Sequence, residues 1–280
     1  MEEENIEKNK HSKLKKIIFI ILVIIALLFV YTRYIATYGF IVKEYGVHSE
    51  NLPSNFNGLK IAHISDIHYG TVGRKKLENV VNEINIMKPD IIVFTGDLFD
   101  EYFNLNDDTK SSIIEVLSKL EAPLGKYAIS GNHDYDYDNY DELIKQCGFT
   151  YLDNESKIIY YNGDEPIEIV GYSDELKGKS NYDISLSDYY KIALIHEGDM
   201  MDNIENKNFD LVLAGHSHGG QIRLPFIGSL TKIDGARKYY DEYYKVNNSD
   251  LYISYGLGET KYMYRAFNKP SINFYRLYSN

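Results

Sequence analysis

The chain has 280 residues, of which 44% are hydrophobic and 14% aromatic, so it is long enough to bury one large core. Its formal net charge of −11 argues against a nucleic-acid-binding surface. The single cysteine, Cys147, excludes an intrachain disulfide and a cysteine-based zinc cluster. Any metal site must therefore use His, Asp and Asn side chains. We expect one globular domain that does not bind nucleic acid.

The N-terminus carries a membrane signal. Five lysines between Lys8 and Lys16 precede an uncharged apolar run, IIFIILVIIALLFVY (17–31). Further apolar residues up to Val42 extend this run to the roughly 20 residues that a membrane span requires. Because no convincing small-residue cleavage site follows, an uncleaved signal-anchor is favoured, and a removed signal peptide is the alternative. The lysines before the run predict that the rest of the chain faces outside.

Strand and helix patterns alternate after the apolar run. Apolar strand patterns at 59–64, 90–95 and 125–130 enclose helical patterns at 74–87 and 111–120, which together predict a β-α-β-α-β unit. The second half is richer in strand than in helix. Its predicted strands are 158–161, 167–170, 191–195, 209–214, 251–255 and 271–278.

Side chains that can bind a metal follow five of these strands directly. In an open α/β sheet the carboxyl ends of the strands meet at one edge, where ligands bind. Asp66 and Asp97 are separated by about one β-α-β repeat, so residues distant in sequence can meet at that edge. The polar residues at these strand ends are Asp66, His68, Asp97, Asn132, His133, His196, His216 and His218.

The stretch AGHSHGGQ (214–221) shows how such residues can reach a common site. His216 and His218 lie two apart and point to the same face of an extended segment, as do Asp66 and His68. Carboxylate, imidazole and amide ligands suit Mn²⁺, Fe²⁺ or Zn²⁺ better than Ca²⁺. Two such ions about 3.5 to 4 Å apart would polarise a phosphoryl oxygen and lower the pKa of a bridging water. We expect two divalent ions, with Mn²⁺ as the first choice.

Five motifs in this order resemble those of the calcineurin-like metallophosphoesterases. They are Asp66-x-His68, Gly96-Asp97, Gly131-Asn132-His133, His196 and Gly215-His216-x-His218. The stretch HGGQIRLP (218–225), with Gly256-Leu257-Gly258, is similar to the membrane-anchored bacterial branch of that family. The resemblance covers residues 59–278. It implies a four-layer α/β sandwich of two mixed sheets flanked by helices, here preceded by one N-terminal transmembrane helix.

The resemblance also implies roles for individual positions. One metal ion would be bound by Asp66, His68 and His218, and the second by Asn132, His196 and His216. Asp97 would bridge the two ions. His133 would contact the substrate phosphate and assist the leaving group without binding a metal.

Several further polar residues are either open to two interpretations or expected to lie outside the site. Arg223 is the nearest basic candidate for a phosphate contact, and a surface ion pair is an equally weighted alternative. Asp100 and Asp134 either orient metal ligands as hydrogen-bond acceptors or are solvated loop acids. Three other histidines fit no motif and are expected to lie outside the site: His11, His48 and His63.

These features predict a membrane-anchored metallophosphoesterase that hydrolyses a phosphodiester or pyrophosphate, through a water activated by two metal ions. The substrate is expected to be a cell-envelope lipid or polymer. One alternative is a non-catalytic metal- or ligand-binding domain that has kept the fold. The other is an enzyme similar to the UDP-diacylglucosamine pyrophosphatase of the same family. The chain has all seven ligand-type residues together with His133, which binds no metal in the family, and this combination favours an enzyme.

The predicted organisation follows from this interpretation. It consists of a cytoplasmic basic tail (1–16), a single-pass transmembrane signal-anchor (17–42), a linker with the first strand (43–58) and a catalytic domain (59–280). The catalytic domain would lie outside the cytoplasmic membrane. The expected partners are that membrane and a phosphate-ester substrate. In one alternative the substrate is linked to a lipid. We expect the protein to act as a monomer.

Overall fold

The computed structural model describes residues 2–101, 103–260 and 263–280. The α-helices are α1 (Glu2–Val30), α2 (Tyr69–Met87), α3 (Asp107–Leu117), α4 (Tyr140–Gln146) and α5 (Met201–Ile204). The strands are β1 (Ile41–Ser49), β2 (Lys60–Ile64), β3 (Ile91–Phe94), β4 (Lys126–Ala128), β5 (Thr150–Tyr151), β6 (Glu155–Ile159), β7 (Ile167–Gly171), β8 (Tyr190–Leu194), β9 (Leu211–Ala214), β10 (Arg223–Leu224), β11 (Gly228–Ser229), β12 (Tyr243–Val246), β13 (Ser249–Ile253) and β14 (Ser271–Ser279).

The strands form two six-stranded mixed sheets and one small hairpin. The first sheet has the strand order β1-β14-β2-β3-β4-β5, and the second has the order β12-β13-β9-β8-β7-β6. Strands β2 to β5 are parallel to one another, and β14 runs antiparallel to β2. Strands β7, β8, β9 and β13 are also parallel. Each sheet therefore presents several strand carboxyl ends at one edge. Strands β10 and β11 pair separately.

Apolar side chains between and outside the sheets create four layers. Ile61 and Val93 of the first sheet pack with Ile192 and Leu213 of the second in a common inner core. Helices α2, α3 and α4 cover the outer face of the first sheet, whereas α5 and neighbouring loops cover the second. Because both faces of the central strands are buried, their sequences are apolar throughout rather than alternating. The predicted four-layer sandwich is confirmed.

Local chemistry explains two helix boundaries. The predicted helix began at residue 74, whereas α2 begins at Tyr69 and is interrupted at Gly73, which has φ 66° and ψ 168°. The regular part therefore starts where the apolar periodicity does. In α3, the Asn106 side chain accepts a hydrogen bond from the Thr109 amide (2.9 Å), which caps the helix beside two acidic residues.

The N-terminal helix is longer at its start and shorter at its end than the predicted span. One helix among the described residues is long and apolar enough to cross a membrane, over Asn9–Ile35, and its side chains are not buried against the protein. Its last five residues, Tyr31–Ile35, form a π-helical turn. Ile41 and Val42, which the sequence pattern assigned to the span, begin β1 and pair with β14. The first residue of the predicted basic tail, Met1, lies outside the described residues.

Candidate metal centre

The seven ligand-type residues lie together where the central strands end. Asp66 and His68 follow β2, Asp97 follows β3, and Asn132 lies four residues after β4. His196 follows β8 of the second sheet, and His216 and His218 follow β9. Their exposed fractions do not exceed 9%. The two sheets thus contribute their carboxyl ends to one buried site, as the strand-end argument predicted.

The first group consists of Asp66, His68 and His218, whose ligand atoms all lie within 4.8 Å of one another. The Nε2 atoms of His68 and His218 are 3.1 Å apart, and His218 Nε2 lies 3.5 Å from Asp66 Oδ1. Asp66 also accepts the His216 amide (3.0 Å), which fixes its carboxylate. Two imidazole nitrogens and a carboxylate oxygen that converge in this way form a suitable three-ligand site for a divalent ion.

The second group consists of Asp97, His196 and His216, under the same distance limit. Asp97 Oδ2 lies 3.3 Å from His196 Nε2 and 3.7 Å from His68 Nε2, so it faces both groups. The other oxygen, Oδ1, accepts the His133 amide (2.9 Å). The carboxylate is therefore held with one oxygen between the two groups, which is the arrangement a bridging ligand needs.

Hydrogen bonds to backbone carbonyls orient two of the imidazoles. His196 donates from Nδ1 to the Thr95 carbonyl (2.6 Å), and His216 donates from Nε2 to the Asp234 carbonyl (2.7 Å). Within the described part of the chain, His196 Nε2 and Asn132 Oδ1 are buried without a hydrogen-bond partner. Buried polar atoms rarely lack partners, and a metal ion would satisfy both of these. The donor set therefore fits a pair of divalent cations.

The backbone at the site adopts the same strained conformation at most of the ligand-type residues. Five of the seven ligand-type residues are non-glycine residues with φ between 43° and 63°, a left-handed conformation that costs energy for most side chains: Asp66, His68, Asp97, His216 and His218. Each turns the chain sharply just past a strand end, so that its side chain points into the site. Strain of this kind concentrates at functional sites.

Gly215, the glycine that begins the motif Gly215-His216-x-His218, has no room for a side chain. A Cβ atom at this position would collide with Ser65 Oγ and would lie only 2.7 Å from Asp66 Oδ2. The glycine therefore allows the backbone after β9 to approach the carboxylate after β2. This close approach joins the two sheets at the metal centre.

Burial and mutual attraction set the charges of the site. Burial lowers the pKa of His68 and His216 to about 4, and it lowers the pKa of His218 well below the ordinary value, so their rings are neutral near pH 7. Burial acts to raise the pKa of Asp97, but His196 and His68 hold it well below its usual range. Burial acts to lower the pKa of His196, yet Asp97 raises that pKa by more, so the net shift is upward. Asp97 thus requires a nearby positive charge, which a proton or a metal cation supplies.

His133 lies beside the first group without belonging to either. Its ring is edge-on to the His68 ring, with the centroids 5.5 Å apart, and it is half-buried. Its Nδ1 atom is a buried polar atom with no hydrogen-bond partner among the described residues. The structure therefore places the His133 ring beside His68 of the first group.

Asp134 hydrogen-bonds to the loops that carry the ligand-type residues, and Asp100 lies near one of those residues. Asp134 is buried and accepts hydrogen bonds from the amides of Asp97, Leu98 and Gly131, so it orients the loops rather than being a solvated acid. Asp100 Oδ1 lies 3.7 Å from His68 Nδ1, so its carboxylate faces the ring of a ligand.

Arg265, which sequence reasoning missed, is fully buried and pairs with Glu259 (3.2 Å). It also donates to the carbonyls of Tyr255 and Gly258, and its Nη2 lies 3.4 Å from His218 Nδ1. The only sequence signal for it is Gly256-Leu257-Gly258, which frames the carbonyl groups that it binds.

The remaining predicted residues belong to neither of the two groups. Arg223 pairs with Asp241 (2.5 Å) and donates to the Gly219 carbonyl (3.0 Å), which matches the ion-pair alternative; a phosphate contact stays a prediction. His63 is buried and contacts Thr95 Oγ1 (2.8 Å), and it belongs to neither group. His48 is exposed and stacks on a tyrosine ring, and His11 is exposed in α1.

Comparison with known proteins places these features in a family context. Residues 59–220, which include both ligand groups, match the profile of the calcineurin-like phosphoesterases. The chain is 35% identical over 262 residues to the uncharacterized metallophosphoesterase YkuE of Bacillus subtilis, with 89% of each protein covered.

Two further relatives have names that state an activity. The chain is 28% identical over 227 residues to the phosphodiesterase YaeI of Escherichia coli, covering 78% of this chain and 82% of YaeI. It is 27% identical over 279 residues to the UDP-2,3-diacylglucosamine pyrophosphatase LpxG of Chlamydia trachomatis, covering 75% of this chain and 82% of LpxG. Both similarities extend over most of the relative.

Proposed function

The chain belongs to the calcineurin-like phosphoesterase family and is a hydrolase of phosphoric esters, and on this premise we propose that it is a membrane-anchored enzyme that cleaves a phosphodiester or pyrophosphate. Its substrate would be a lipid or polymer of the cell envelope. The observation that carries the proposal is Asp97, whose Oδ2 faces both buried ligand groups while its Oδ1 accepts the amide of His133. This contact connects the ligand groups to the residue that would act on the substrate.

We assign the ligands as the motif order suggests. One ion would be held by Asp66, His68 and His218, and the other by Asn132, His196 and His216, with Asp97 shared. Mixed imidazole, carboxylate and amide donors suit Mn²⁺, Fe²⁺ or Zn²⁺, and of these we propose Mn²⁺. When bound, such a pair supplies Lewis acidity to phosphoryl oxygens and lowers the pKa of water.

The chain itself supplies orientation and a proton. Asp134 holds the amides of Asp97 and Gly131, which keeps the bridging carboxylate and the neighbouring loop in place. His133 would contact the phosphate and protonate the leaving group, since its ring lies next to the ligands with a free buried nitrogen. Burial of the ligands excludes water from the carboxylates and strengthens their electrostatic effect.

Hydrolysis of a defined ester tests the proposal. We expect the purified full-length protein with Mn²⁺ to cleave chromogenic phosphodiesters, and we expect a chelator to abolish this activity until Mn²⁺ is restored. The rate of nitrophenol release measures both effects, and a variant with His196→Ala is the control for contaminating enzymes. If a protein that binds two ions cleaves no monoester, diester or pyrophosphate with Mn²⁺, Fe²⁺ or Zn²⁺, the non-catalytic binding domain is the correct function.

LpxG supports a pyrophosphate substrate as the second candidate, because its name states that it is a pyrophosphatase and the similarity covers 82% of it. A diester and a pyrophosphate both require attack on a phosphoryl group between two oxygen substituents. The same metal centre therefore suits either. The ratio of cleavage rates for a nucleoside diphosphate sugar and a dialkyl phosphate distinguishes them.

We propose that α1 is an uncleaved, single-pass anchor and that the domain acts as a monomer outside the cytoplasmic membrane. The side chains of the apolar run are exposed, as expected for a helix that contacts lipid rather than protein. Lysines precede the run, whereas only Arg33 and Lys43 follow it closely. The Thr32 carbonyl accepts the Arg265 amide (3.0 Å), so the end of the anchor directly contacts the domain.

A reporter fusion tests this orientation. A phosphatase reporter that is active only outside the cytoplasm, fused after Asn280, is expected to be active because the lysine-rich side stays inside. A reporter active only in the cytoplasm, fused at the same position, is expected to be inactive. The opposite pattern would place the catalytic domain inside and redirect the substrate search to lipid precursors on the inner face.

A further inference from the structure

The small hairpin beside the metal centre exposes an unusual amount of apolar surface. We call residues 223–233, which contain β10, β11 and the loop after them, the apolar hairpin. Its tip carries Phe226, which is fully exposed, and Ile227, which is 71% exposed. Leu230 is 54% and Ile233 is 41% exposed. Phe226 also has φ 67°, so a turn that disfavours a bulky residue holds an aromatic ring outward. Such a patch indicates an interaction surface.

The apolar hairpin lies next to the end of the anchor helix. The Arg223 amide, at its base, donates to the Ala266 carbonyl (2.9 Å). On either side of Ala266, Arg265 contacts the Thr32 carbonyl and the Phe267 ring lies 5.6 Å from the Tyr31 ring. Residues 31 to 35 form the end of the candidate span. The base of the hairpin therefore lies beside the end of the candidate span.

Both ends of the apolar hairpin are also attached to the metal centre. At one end, Arg223 donates to the carbonyl of Gly219, the residue after His218. At the other, Thr231 Oγ1 donates to the Gly220 carbonyl (2.9 Å), and the carbonyl of Asp234 accepts the His216 ring. The hairpin is thus fixed to Gly219 and Gly220, which follow His218 of the first group, and the residue after the hairpin contacts His216 of the second.

We propose that the tip of the apolar hairpin inserts into the bilayer that α1 crosses, and that the metal centre therefore acts on phosphate esters of lipids at headgroup depth. This inference rests on the proposed anchoring and hydrolysis. The bilayer is the occupant that the contacts favour, because the apolar surface continues from the end of the anchor through Phe267, which is 58% exposed.

Charge supports apolar insertion over electrostatic attachment. A chain with a net charge of −11 is repelled by an anionic membrane surface, so exposed lysines alone would not hold the domain there. Lys232 lies in the apolar hairpin, with its Nζ 4.2 Å from the centre of the Tyr240 ring, and Arg33 lies in the last turn of the anchor helix. Both are placed to meet lipid phosphates while Phe226 and Ile227 enter the acyl region.

A tryptophan at the tip measures insertion directly, because the chain contains none. Phe226→Trp in the full chain, reconstituted into phosphatidylcholine vesicles with brominated acyl chains, is expected to show blue-shifted emission and strong quenching. The matched control is Tyr160→Trp, which is 60% exposed and follows β6 at the opposite edge of the second sheet; it should stay unquenched. The decisive case is a Phe226→Trp variant that stays in the vesicles after carbonate extraction, which shows that its anchor is inserted. Unquenched emission from that protein would overturn the proposal and point to a protein or a second copy as the occupant.

Activity tests the substrate class separately. We expect the double variant Phe226→Asp, Ile227→Asp to hydrolyse a soluble nitrophenyl phosphodiester at the wild-type rate, since these side chains contact none of the ligands. Its rate on a phospholipid in vesicles should fall at least about tenfold, because the site is no longer positioned at the bilayer. Equal rates on vesicle lipid would overturn the lipid assignment. If the wild type cleaves neither substrate, the proposed hydrolysis fails, and the quenching result alone decides whether the hairpin inserts.

Discussion

Asp97→Ala is expected to lower the occupancy of both metal ions and to reduce phosphodiester hydrolysis more than about 100-fold. Losing a group that merely hydrogen-bonds to a metal ligand typically costs about 10- to 100-fold in affinity or activity, and we propose that Asp97 is a ligand of both ions. Its Oδ2 lies 3.3 Å from His196 Nε2 and 3.7 Å from His68 Nε2, so its removal affects both groups. Metal analysis of the purified protein and nitrophenol release measure the two effects.

Two variants distinguish bridging from a general loss of structure. Asp97→Asn keeps an oxygen that accepts the His133 amide but removes the charge, so it should fold normally and still bind metal weakly. His68→Ala removes a ligand from one group and should mainly lower the occupancy of that ion. Asp164→Ala, at an exposed loop position, should keep both ions and full activity. Two ions per chain in Asp97→Ala would show that the bridging assignment is wrong.

Most of the fold could be predicted because short apolar segments indicate which strands are buried. The strands β3 and β9 are apolar at every position, since helices or a second sheet cover both of their faces. The start of β1 could not be predicted in the same way. Ile41 and Val42 are apolar residues near a membrane span, and only pairing with Ser271 and Ile272, far along the chain, makes them a strand. A local pattern contains no information about such a distant partner.

The candidate ligands were predicted from their positions at strand ends. The backbone conformations and hydrogen bonds that hold these ligands in place were not predicted. The left-handed conformation of His216 and His218 depends on close packing with the first sheet, which Gly215 permits. Asp134 had two equal interpretations, because whether a loop acid is buried depends on amides brought in by another strand end. Arg265 is 47 residues from His218 and belongs to no local motif. Its position beside His218 becomes evident only from three-dimensional packing.

The same limit explains the apolar hairpin. The sequence HGGQIRLP identified a branch of the family, but it did not indicate which side chains would be exposed. Only the structure shows Phe226 outside the core and the hairpin base beside the end of α1. Exposure of a single apolar residue is common, so the shared location of the patch and the anchor is what gives it meaning.

His133→Ala is expected to keep near-normal metal content and to lose about 10²- to 10⁴-fold in activity on alkyl phosphodiesters, the usual contribution of general acid catalysis. The His133 side chain belongs to neither ligand group, its ring lies beside that of His68, and its buried Nδ1 has no hydrogen-bond partner among the described residues. Removing the ring therefore leaves the ligands intact. The backbone amide that donates to Asp97 also remains in the alanine variant. The variant tests the side chain alone.

The size of this loss should depend on the leaving group. An alkoxide is a poor leaving group and requires a proton, whereas a nitrophenolate departs without one, so His133→Ala should affect nitrophenyl esters much less than alkyl esters. Steady-state rates on a matched pair of esters, with metal content measured on the same samples, provide the comparison. His48→Ala, at an exposed histidine remote from the ligands, should leave both rates unchanged. Equal losses on the two esters would mean that His133 only stabilises charge on the phosphoryl oxygens. Loss of metal would instead make His133 a ligand.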